Sequence, residues 1–470
     1  MTEMINDMIG AVSGFLYDPW VPLFLVVAGV VLTIWTGFPQ IRMLAESFRV
    51  VMEKPKNADG MSSFGALMIS TASRVGTGNI IGVSTAICLG GVGAVFWMWF
   101  IAIFGGASAY VESTLAQIYK RKNPDGSGYG GPSYYMETAL RQRWLGVIFS
   151  VLIILTYALG YNALASYNLQ STFAGFGFYD PATTPAVMGV VLAILFLVCI
   201  MGGGKRLAKV TGVLVPVMGV LYIVVALVIV LMNIGKMPSV FGAIFADAFN
   251  FKAIFGGFSG SCVMYGIKRG LYSNEAGMGS APNAAATADV SHPAKQGLVQ
   301  MLSVFLDTLV ICTATAFMCL SSDVVPTPEL AGAAYVQASL ADVLGGFGPV
   351  FIAAAMSLFA FTTLIGNYYY CEGCLRYIIN RKPSKTFMTA FRLAAAVIVF
   401  LGAIVSMDLV WNLADLTQAL MVIFNIPAIL LLAKPAILAL KDYERQKKEG
   451  KDPVYKAKAA GVKEKTDFWN

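Results

Sequence analysis

The sequence predicts an all-α, polytopic membrane protein with about 11 transmembrane helices. Of its 470 residues, 57% are apolar and only 13% are charged, and the mean hydropathy is +0.70. This composition lies outside the range of soluble globular proteins. A helix needs roughly 20 apolar residues to cross a bilayer. Runs of this kind are centred near residues 30, 77, 105, 158, 193, 221, 268, 308, 360, 399 and 423.

The basic residues set the orientation of these helices, because cytoplasmic loops are enriched in lysine and arginine. With the N-terminus outside and the C-terminus in the cytoplasm, 28 of the 33 basic residues fall in cytoplasmic segments. Lys236 and Lys252 are then external, and Arg74, Lys268 and Arg269 lie at membrane depth. The net charge of +7 is therefore a signal of topology and does not indicate a nucleic-acid partner. We expect the protein to reside in the lipid bilayer of the inner (plasma) membrane.

Because no polar domain separates the apolar runs, we expect one membrane domain followed by a basic tail. The order of the runs divides the chain into five parts. These are an external N-terminus with a peripheral first helix and a cytoplasmic loop (1–62), a first block of five helices (63–235), an external loop (236–256), a second block of five helices (257–435), and a basic, poorly ordered cytoplasmic tail (436–470).

The second apolar segment contains "SRVGTGNIIGV", Ser73 to Val83, where glycines and polar residues interrupt a membrane helix. An isolated glycine pair in a membrane helix most often serves close packing. Glycine also permits unwinding, and unpaired backbone groups at membrane depth are tolerated only where they line a cavity or bind a ligand. We therefore predict a break near 76–78. Its amides, those of Gly76, Thr77 and Gly78, would hold a substrate carboxylate.

The same break offers groups for a positive charge. Carbonyl groups around Ala72 and Val75, at the end of the inner half-helix, would face a cation. The amide side chain of Asn79 both donates and accepts hydrogen bonds, so it suits either a substrate amine or the ion.

The seventh segment is also interrupted. It reads "GSCVMYGIKRGLYSNEAGMGSAPNAAATA", Gly260 to Ala288, and its glycines predict a break near 266–270, with Gly266 and Ser273 in the binding site. The two interrupted segments are the first members of two successive five-helix blocks, which must enter the membrane from opposite sides. This arrangement is typical of inverted-repeat transporters, whose binding site lies at the two breaks.

Charged residues at membrane depth are functional by default. The basic ones are Arg74, Lys268 and Arg269, and Glu275 is the natural partner for one of them. Two roles stay open for these residues, a structural ion pair and direct contact with the substrate.

The ninth segment, "FAFTTLIGNYYYCEG", places two adjacent hydroxyl groups in the middle of the membrane. Thr362 and Thr363 could each bond to a carbonyl one turn back in the same helix. Alternatively, their oxygen atoms and the carbonyl groups of the broken helix form a site for a small hard cation. Asn367 follows Thr363 by one turn and would face the same cavity.

On these residues, the chain resembles the alanine or glycine:cation symporter family, also called sodium:alanine symporters. The resemblance extends from about Gly37 to Lys434. It rests on four motifs, which are "RVGTGNIIGVSTAI", "GGVGAVFWMW" at Gly90–Trp99, "GGPSYYME" at Gly130–Glu137, and "KRGLYSNEAGMGSAPNAAATA" at Lys268–Ala288.

The resemblance implies a LeuT-like five-plus-five inverted repeat with one additional N-terminal helix. It also implies symport of a small neutral amino acid, alanine or glycine, with Na+ as the coupling ion. Carried over by position, the substrate carboxylate lies at residues 76–78. The sodium ligands are then the carbonyl groups of Ala72 and Val75 and the hydroxyl groups of Thr362 and Thr363.

Other functions remain as alternatives. A polar residue at Asn367 makes the pocket suit glutamine or serine, with sodium or proton coupling, and a channel on the same fold is a further rival. An enzyme is disfavoured because His292 is the only histidine and no HExxH or GxSxG motif occurs. No obligate protein partner is implied.

Overall fold

The computed structural model describes residues 2–57, 60–381 and 383–469, so Lys382, one of the predicted cytoplasmic basic residues, lies outside the described part. The described chain is predominantly helical. Eight helical stretches are long and apolar enough to cross a membrane, namely Asn6–Thr36, Ala94–Ile118, Arg143–Ser171, Arg206–Met232, Pro293–Leu320, Phe347–Ile379, Lys385–Ile404 and Met407–Leu431. Two apolar helices, Gly78–Gly90 and Thr184–Ile200, are shorter.

The described residues up to Met232 form twelve α-helices. They are α1 (Thr2–Phe15), α2 (Val21–Thr36), α3 (Pro39–Arg42), α4 (Leu44–Val51), α5 (Ser63–Arg74), α6 (Val83–Gly90), α7 (Ala94–Ile118), α8 (Pro132–Ala139), α9 (Arg143–Ile153), α10 (Asn162–Ser171), α11 (Thr184–Ile200) and α12 (Gly203–Met232). Between α7 and α8, the short strands β1 (Arg121–Lys122) and β2 (Gly128–Tyr129) pair antiparallel. Stretches of π-helix occupy Leu16–Trp20, Gly78–Gly82 and Ile154–Tyr161.

Eleven more α-helices lie in the described part of the chain after Met232. They are α13 (Met237–Ala248), α14 (Phe251–Gly256), α15 (Cys262–Asn274), α16 (Pro282–Ala285), α17 (Pro293–Phe305), α18 (Thr313–Leu320), α19 (Ala333–Leu344), α20 (Phe347–Ile379), α21 (Lys385–Ile404), α22 (Met407–Leu431) and α23 (Ala433–Lys448). A π-helical stretch, Leu306–Cys312, joins α17 to α18, and short 3-10 helices lie at Ile234–Lys236, Phe258–Gly260 and Pro328–Leu330.

The outer helices expose apolar side chains, whereas the central helices are buried. In α12, for example, Val213, Val220 and Leu231 are each at least 60% exposed. By contrast, the residues from Leu271 to Ala286 are all buried. A helix with an apolar outer surface of this kind is typical of a lipid-facing element. The chain is a multi-pass membrane protein with its interrupted segments at the centre.

The segment after α23 is packed, so the prediction of a poorly ordered tail is wrong. Trp469 is 6% exposed, and its indole Nε1 donates to the carbonyl of Gln117 at the end of α7, at 2.7 Å. The amide of Tyr455 donates to the carbonyl of Ser291 at 3.0 Å. The aromatic side chains of this segment bury apolar area, although the segment as a whole is basic. Phe468 and Trp469 also line a cavity of about 1200 Å³ together with the β1–β2 hairpin.

Candidate functional site

The first interruption at membrane depth follows α5. This helix ends at Arg74, Val75 has a ψ of 89°, and helical structure resumes as a π-helical turn at Gly78. Residues of the interruption are at most 3% exposed where their side chains are described. We call Val75–Thr77 the first break, and it lies where the sequence pattern predicts it.

Asn79 caps this break. The amide of Gly76 would continue the helix by donating to the carbonyl of Ala72, but it donates to Oδ1 of Asn79 at 2.7 Å. The carbonyl groups of the last helical turn are therefore released from the helical pattern. Because its amide is engaged with Asn79, Gly76 does not offer the carboxylate contact that its position suggested. The amides of Thr77 and Gly78 remain for that role.

Thr363 of α20 faces the first break. A Cβ atom on Gly76 would lie 1.9 Å from the Thr363 hydroxyl oxygen, so the backbone of the break and this oxygen are in direct contact. Thr363 is 4% exposed, and among the described atoms its hydroxyl has no hydrogen-bond partner. A buried, unsatisfied oxygen beside released carbonyl groups fits a small hard cation such as sodium.

Thr362 does not share this position. Its hydroxyl bonds to the carbonyl of Leu358 at 3.0 Å, one turn back in α20, and lies 3.5 Å from the sulfur of Met218 in α12. Adjacent residues of a helix point in directions about 100° apart. The Thr362 hydroxyl therefore bonds within its own helix, which was the alternative to cation binding. Of the two threonines, only Thr363 contacts the first break.

The second interruption lies later than predicted. Helix α15 runs without interruption through residues 266–270 and ends at Asn274, and α16 begins at Pro282. We call Glu275–Ala281 the second break. Gly277 and Gly279 have φ values of +86° and +81°, a region that glycine adopts without strain.

Gly266, predicted for the binding site, packs against α7 and lies before the second break. A Cβ atom at this position would lie 2.5 Å from the carbonyl oxygen of Ala94 and 2.6 Å from Cβ of Trp97, both in α7. The absence of a side chain lets the two helices approach closely.

The two interrupted segments meet at Gly78. Its missing Cβ would lie 2.9 Å from the ring of Tyr272 and 3.5 Å from Cα of Ser273, both in the last turn of α15. The hydroxyl groups of Thr77 and Tyr272 lie 3.1 Å apart, and Nδ2 of Asn168 donates to the Thr77 hydroxyl at 3.1 Å. The first break and the end of α15 thus form one continuous polar surface.

Asp307 joins the two segments. It lies in the π-helical stretch after α17 and is 0% exposed. Its Oδ1 accepts from Nδ2 of Asn79 at 2.7 Å, and its Oδ2 accepts from the hydroxyl of Ser273 at 2.8 Å. Within the described residues, no cationic side chain forms an ion pair with it. A buried carboxylate without an ion-pair partner is a candidate to bind a cationic group of a ligand.

Asn367 of α20 lies against the end of α5, next to the first break. Its Nδ2 donates to Oδ1 of Asn162 at 2.9 Å, and its Oδ1 accepts from the hydroxyl of Ser73 at 2.7 Å. The Ser73 hydroxyl is also 2.7 Å from Oε1 of Glu275, the first residue of the second break. This second polar cluster connects α5, α10 and α20.

Residues 2–457 match the model of the sodium:alanine symporter family. The chain is 45% identical to the amino-acid carrier protein AlsT of Bacillus subtilis (strain 168), over 100% of this chain and 98% of that protein. It is 46% identical to the probable sodium/glutamine symporter GlnT of the same organism, over 97% and 94%. It is 39% identical to the sodium/alanine symporter AgcS of Methanococcus maripaludis, over 95% and 99%.

The chain belongs to the sodium:alanine symporter family. It is therefore a transporter and not an enzyme, and sodium is its coupling ion. The predicted resemblance is confirmed, and the match extends into the tail that the prediction left out.

The three basic residues at membrane depth are paired in the symporter. Nε of Arg74 lies 4.0 Å from Oε2 of Glu275, so an ion pair joins the end of α5 to the second break. Lys268 and Arg269 share Asp415 of α22, at 2.7 and 2.9 Å. The structural reading of Glu275 as the partner of one basic residue is thus favoured, and Arg74 is that residue.

Sequence reasoning missed Asp307, although a signal was present. It is an acidic residue within an apolar run, and such residues mark functional positions by default. The prediction considered basic residues at membrane depth and Glu275, and passed over the remaining carboxylates. Asn162 and Asn168 of the symporter carry no such signal, because amide side chains also occur at packing positions of membrane helices.

Proposed function

We propose that the symporter takes up a small neutral amino acid together with sodium by alternating access, at a site between its two interrupted segments. The observation that carries this proposal is the bridge at Asp307. One carboxylate accepts hydrogen bonds from Asn79, next to the first break, and from Ser273, just before the second. A ligand at this point contacts both segments, which is the arrangement on which inverted-repeat transporters depend.

The proposed sodium site consists of the Thr363 hydroxyl and the carbonyl groups of Ala72 and Val75. The contact between Thr363 and Gly76 and the unsatisfied hydroxyl support it. Sodium is a hard cation and prefers oxygen ligands of this kind. Since α5 and α20 belong to different five-helix blocks, a bound ion would hold together elements that move relative to each other.

The proposed substrate site recognises both ends of a zwitterion. The amides of Thr77 and Gly78, at the start of the outer half-helix, suit the carboxylate. Asp307 suits the ammonium group, since no cationic side chain of the described residues forms an ion pair with it. The rings of Tyr272 and Tyr161, 4.9 Å apart, limit the volume beside it. We therefore infer that alanine or glycine is the substrate.

Glutamine or serine is the second candidate substrate, with sodium or proton coupling. The cluster of Ser73, Asn162 and Asn367 offers donors and acceptors for a polar side chain. Nδ2 of Asn162 has no hydrogen-bond partner among the described atoms. The relative GlnT, named a probable sodium/glutamine symporter, is 46% identical.

We also propose a LeuT-like topology of eleven membrane segments. An additional first helix precedes two inverted blocks, 63–235 and 257–435, with an external loop at 236–256 between them. The breaks at Val75–Thr77 and Glu275–Ala281 lie in the first helix of each block. The segments 1–62 and 436–470 then carry an external N-terminus and a cytoplasmic tail, in the cell (inner, plasma) membrane. Lipid is the surrounding partner, and no obligate protein partner is part of this proposal.

The decisive experiment is uptake of radiolabelled amino acids into proteoliposomes that contain the purified symporter. Sodium, lithium and proton gradients are imposed separately, and alanine, glycine, serine and glutamine are compared. We expect saturable uptake of alanine or glycine that requires a sodium gradient. Uptake driven equally by a proton gradient in sodium-free buffer would contradict sodium coupling. A preference for glutamine would favour the second candidate, and uptake without saturation would identify a channel.

A further inference from the structure

The second break is irregular backbone in the centre of the membrane domain, and something must hold its shape. Its residues, Glu275–Ala281, are all buried. Backbone groups without helical partners are costly at this depth. Gly277 and Gly279 have positive φ values in this segment. Because glycine adopts many backbone conformations with similar ease, these two residues alone do not select the observed conformation.

Asn425 of α22 lies directly against this backbone. Its Nδ2 donates to the carbonyl of Gly277 at 2.9 Å. A Cβ atom on Gly279 would lie 2.8 Å from Cγ of Asn425, so this glycine lies in close contact with the amide group of Asn425. Asn425 is 0% exposed.

Two further buried side chains fix the orientation of that amide. Nδ2 of Asn425 also donates to Oε2 of Glu112 in α7 at 2.9 Å, and its Oδ1 accepts from the hydroxyl of Tyr135 in α8 at 2.6 Å. Glu112 and Tyr135 are both 0% exposed. We call Glu112, Tyr135 and Asn425 the clamp.

The clamp accounts for the motif "GGPSYYME", Gly130–Glu137, which the proposed transport site does not use. Tyr135 belongs to this motif. A Cβ atom on Gly131 would lie 2.2 Å from Oδ1 of Asn283 in α16, and one on Gly130 would lie 2.9 Å from Cβ of Ala286. The glycines of the motif therefore pack against α16 and the residue after it, which follow the second break. Tyr135 of the motif bonds to Asn425, and Asn425 bonds to the second break.

We propose that Glu112 is a positioning residue for transport, which acts through Asn425 to hold the second break in its substrate-binding shape. This inference rests on the proposed function, because it takes the second break to be part of the substrate site. Glu112 does not touch the ligand. It supplies the acceptor that turns Nδ2 of Asn425 toward the carbonyl of Gly277, and Tyr135 supplies the donor on the opposite side.

The test compares Glu112→Ala, Asn425→Ala and the double variant with the wild type in proteoliposomes. Half-saturating concentrations of alanine and of sodium, maximal uptake and the thermal unfolding temperature are measured. We expect each single variant to raise the half-saturating alanine concentration at least tenfold. The sodium dependence at saturating alanine should change less than threefold, because the clamp does not contact Thr363 or the first break. The effects in the double variant should be non-additive, because the residues act as one unit.

Glu112→Gln separates positioning from charge. Glutamine has nearly the same shape and keeps an oxygen for Asn425. Oε1 of Glu112 forms no hydrogen bond among the described atoms, but the backbone amides of Gly277 and Gly279 face this carboxylate. We expect Glu112→Gln to raise the half-saturating alanine concentration less than Glu112→Ala does. Ser113→Ala is the matched control in α7, since the Ser113 hydroxyl also has no described partner.

Three results would overturn the inference. They are an unchanged alanine dependence in folded Glu112→Ala, additive effects in the double variant, and a Glu112→Gln variant as impaired as the alanine variant. A loss of thermal stability with unchanged alanine dependence would assign the clamp to folding alone. If the wild type itself shows no sodium-driven alanine uptake, the proposed function fails instead.

Discussion

Asn79 connects the backbone of the first break to Asp307. Its Oδ1 accepts from the amide of Gly76 at 2.7 Å, and its Nδ2 donates to Oδ1 of Asp307 at 2.7 Å. A substitution of Asp307 therefore changes the charge of the site and also affects the backbone conformation of the first break.

Asp307→Asn should weaken substrate binding at least tenfold, which corresponds to about 1.4 kcal/mol. The substitution preserves the shape but removes the charge, and its NH2 group replaces one oxygen that accepts from Asn79 or Ser273. Alanine binding to the purified protein is the measurement. Asp323→Asn, at a carboxylate whose side chain is 82% exposed, is the control for a lost charge and should behave as the wild type. Equal alanine affinity in both variants would remove Asp307 from the site.

Thr363→Ala should raise the sodium concentration for half-maximal uptake about tenfold or more, again roughly 1.4 kcal/mol. The substitution removes one hard oxygen ligand. Thr363→Ser keeps that oxygen and should stay near the wild type. Thr362→Ala is the matched control, because the Thr362 hydroxyl bonds to its own helix. An equal shift in Thr362→Ala and Thr363→Ala would show that helix packing, and not coordination, sets the sodium dependence.

Gly78→Ala should impair alanine uptake severely, and Gly78→Val should abolish it. Even the smallest side chain would approach the Tyr272 ring to 2.9 Å, at the surface where the two interrupted segments meet. At Gly82, one turn further along, the same ring would be 3.6 Å away, an ordinary contact. Gly82→Ala should therefore retain uptake. The comparison requires equal amounts of folded protein in detergent. Wild-type uptake by Gly78→Val would exclude close contact there during transport.

The stability of the symporter should rise with pH above neutrality because of Lys120, which follows α7 outside the membrane-spanning segment. Burial lowers the pKa of Lys120 to about 7, and the charge of Asp289 offsets only part of this effect. An exposed lysine has a pKa of about 10.4. The unfolded state therefore binds more protons than the folded state between pH 7 and about 10, and stability increases with pH in this window.

Thermal unfolding of the wild type and Lys120→Met, measured from pH 6 to pH 10, tests this effect. The wild type should gain up to about 1.4 kcal/mol per pH unit relative to the variant above pH 7. Below pH 7, where both states of the lysine are protonated, the difference should be constant. Parallel curves throughout would mean that Lys120 keeps its ordinary pKa.

Cysteine labelling can test the orientation of the symporter. All seven native cysteines are buried, so an introduced cysteine provides the main signal for an impermeant maleimide. Lys236→Cys should react in intact cells. Ser127→Cys, in the β1–β2 loop, should react only after permeabilisation. Reaction of both positions from outside would refute the proposed alternation of loops.

The first break could be located from sequence because glycines and polar residues coincide there. The second could not, because glycine serves two purposes in α15 and in the residues that follow it. Gly266 allows close packing on α7, whereas Gly277 and Gly279 allow a left-handed backbone. The residue type is glycine in both cases, and only the position of the neighbouring helix distinguishes the two roles.

The threonine pair illustrates a second limit. A run of apolar residues predicts the helix α20. It does not predict how this helix is rotated about its axis, because α20 is buried on several sides. Which of Thr362 and Thr363 faces the break is decided by the contact of α20 with α5. Gly366 marks this contact, because a Cβ atom there would lie 2.5 Å from the amide nitrogen of Ser73.

The docking of Trp469 has a consequence for the order in which the symporter is built. The indole bonds to the backbone of Gln117, which precedes it by 352 positions. During synthesis, α7 is in the membrane long before its partner leaves the ribosome. At 5–20 residues per second, about 20 to 70 seconds separate the two. Throughout that interval the wall of the cavity that Trp469 completes is missing. Lys120 then also lacks the rings of Phe468 and Trp469, whose centroids lie 4.4 and 5.2 Å from its Nζ.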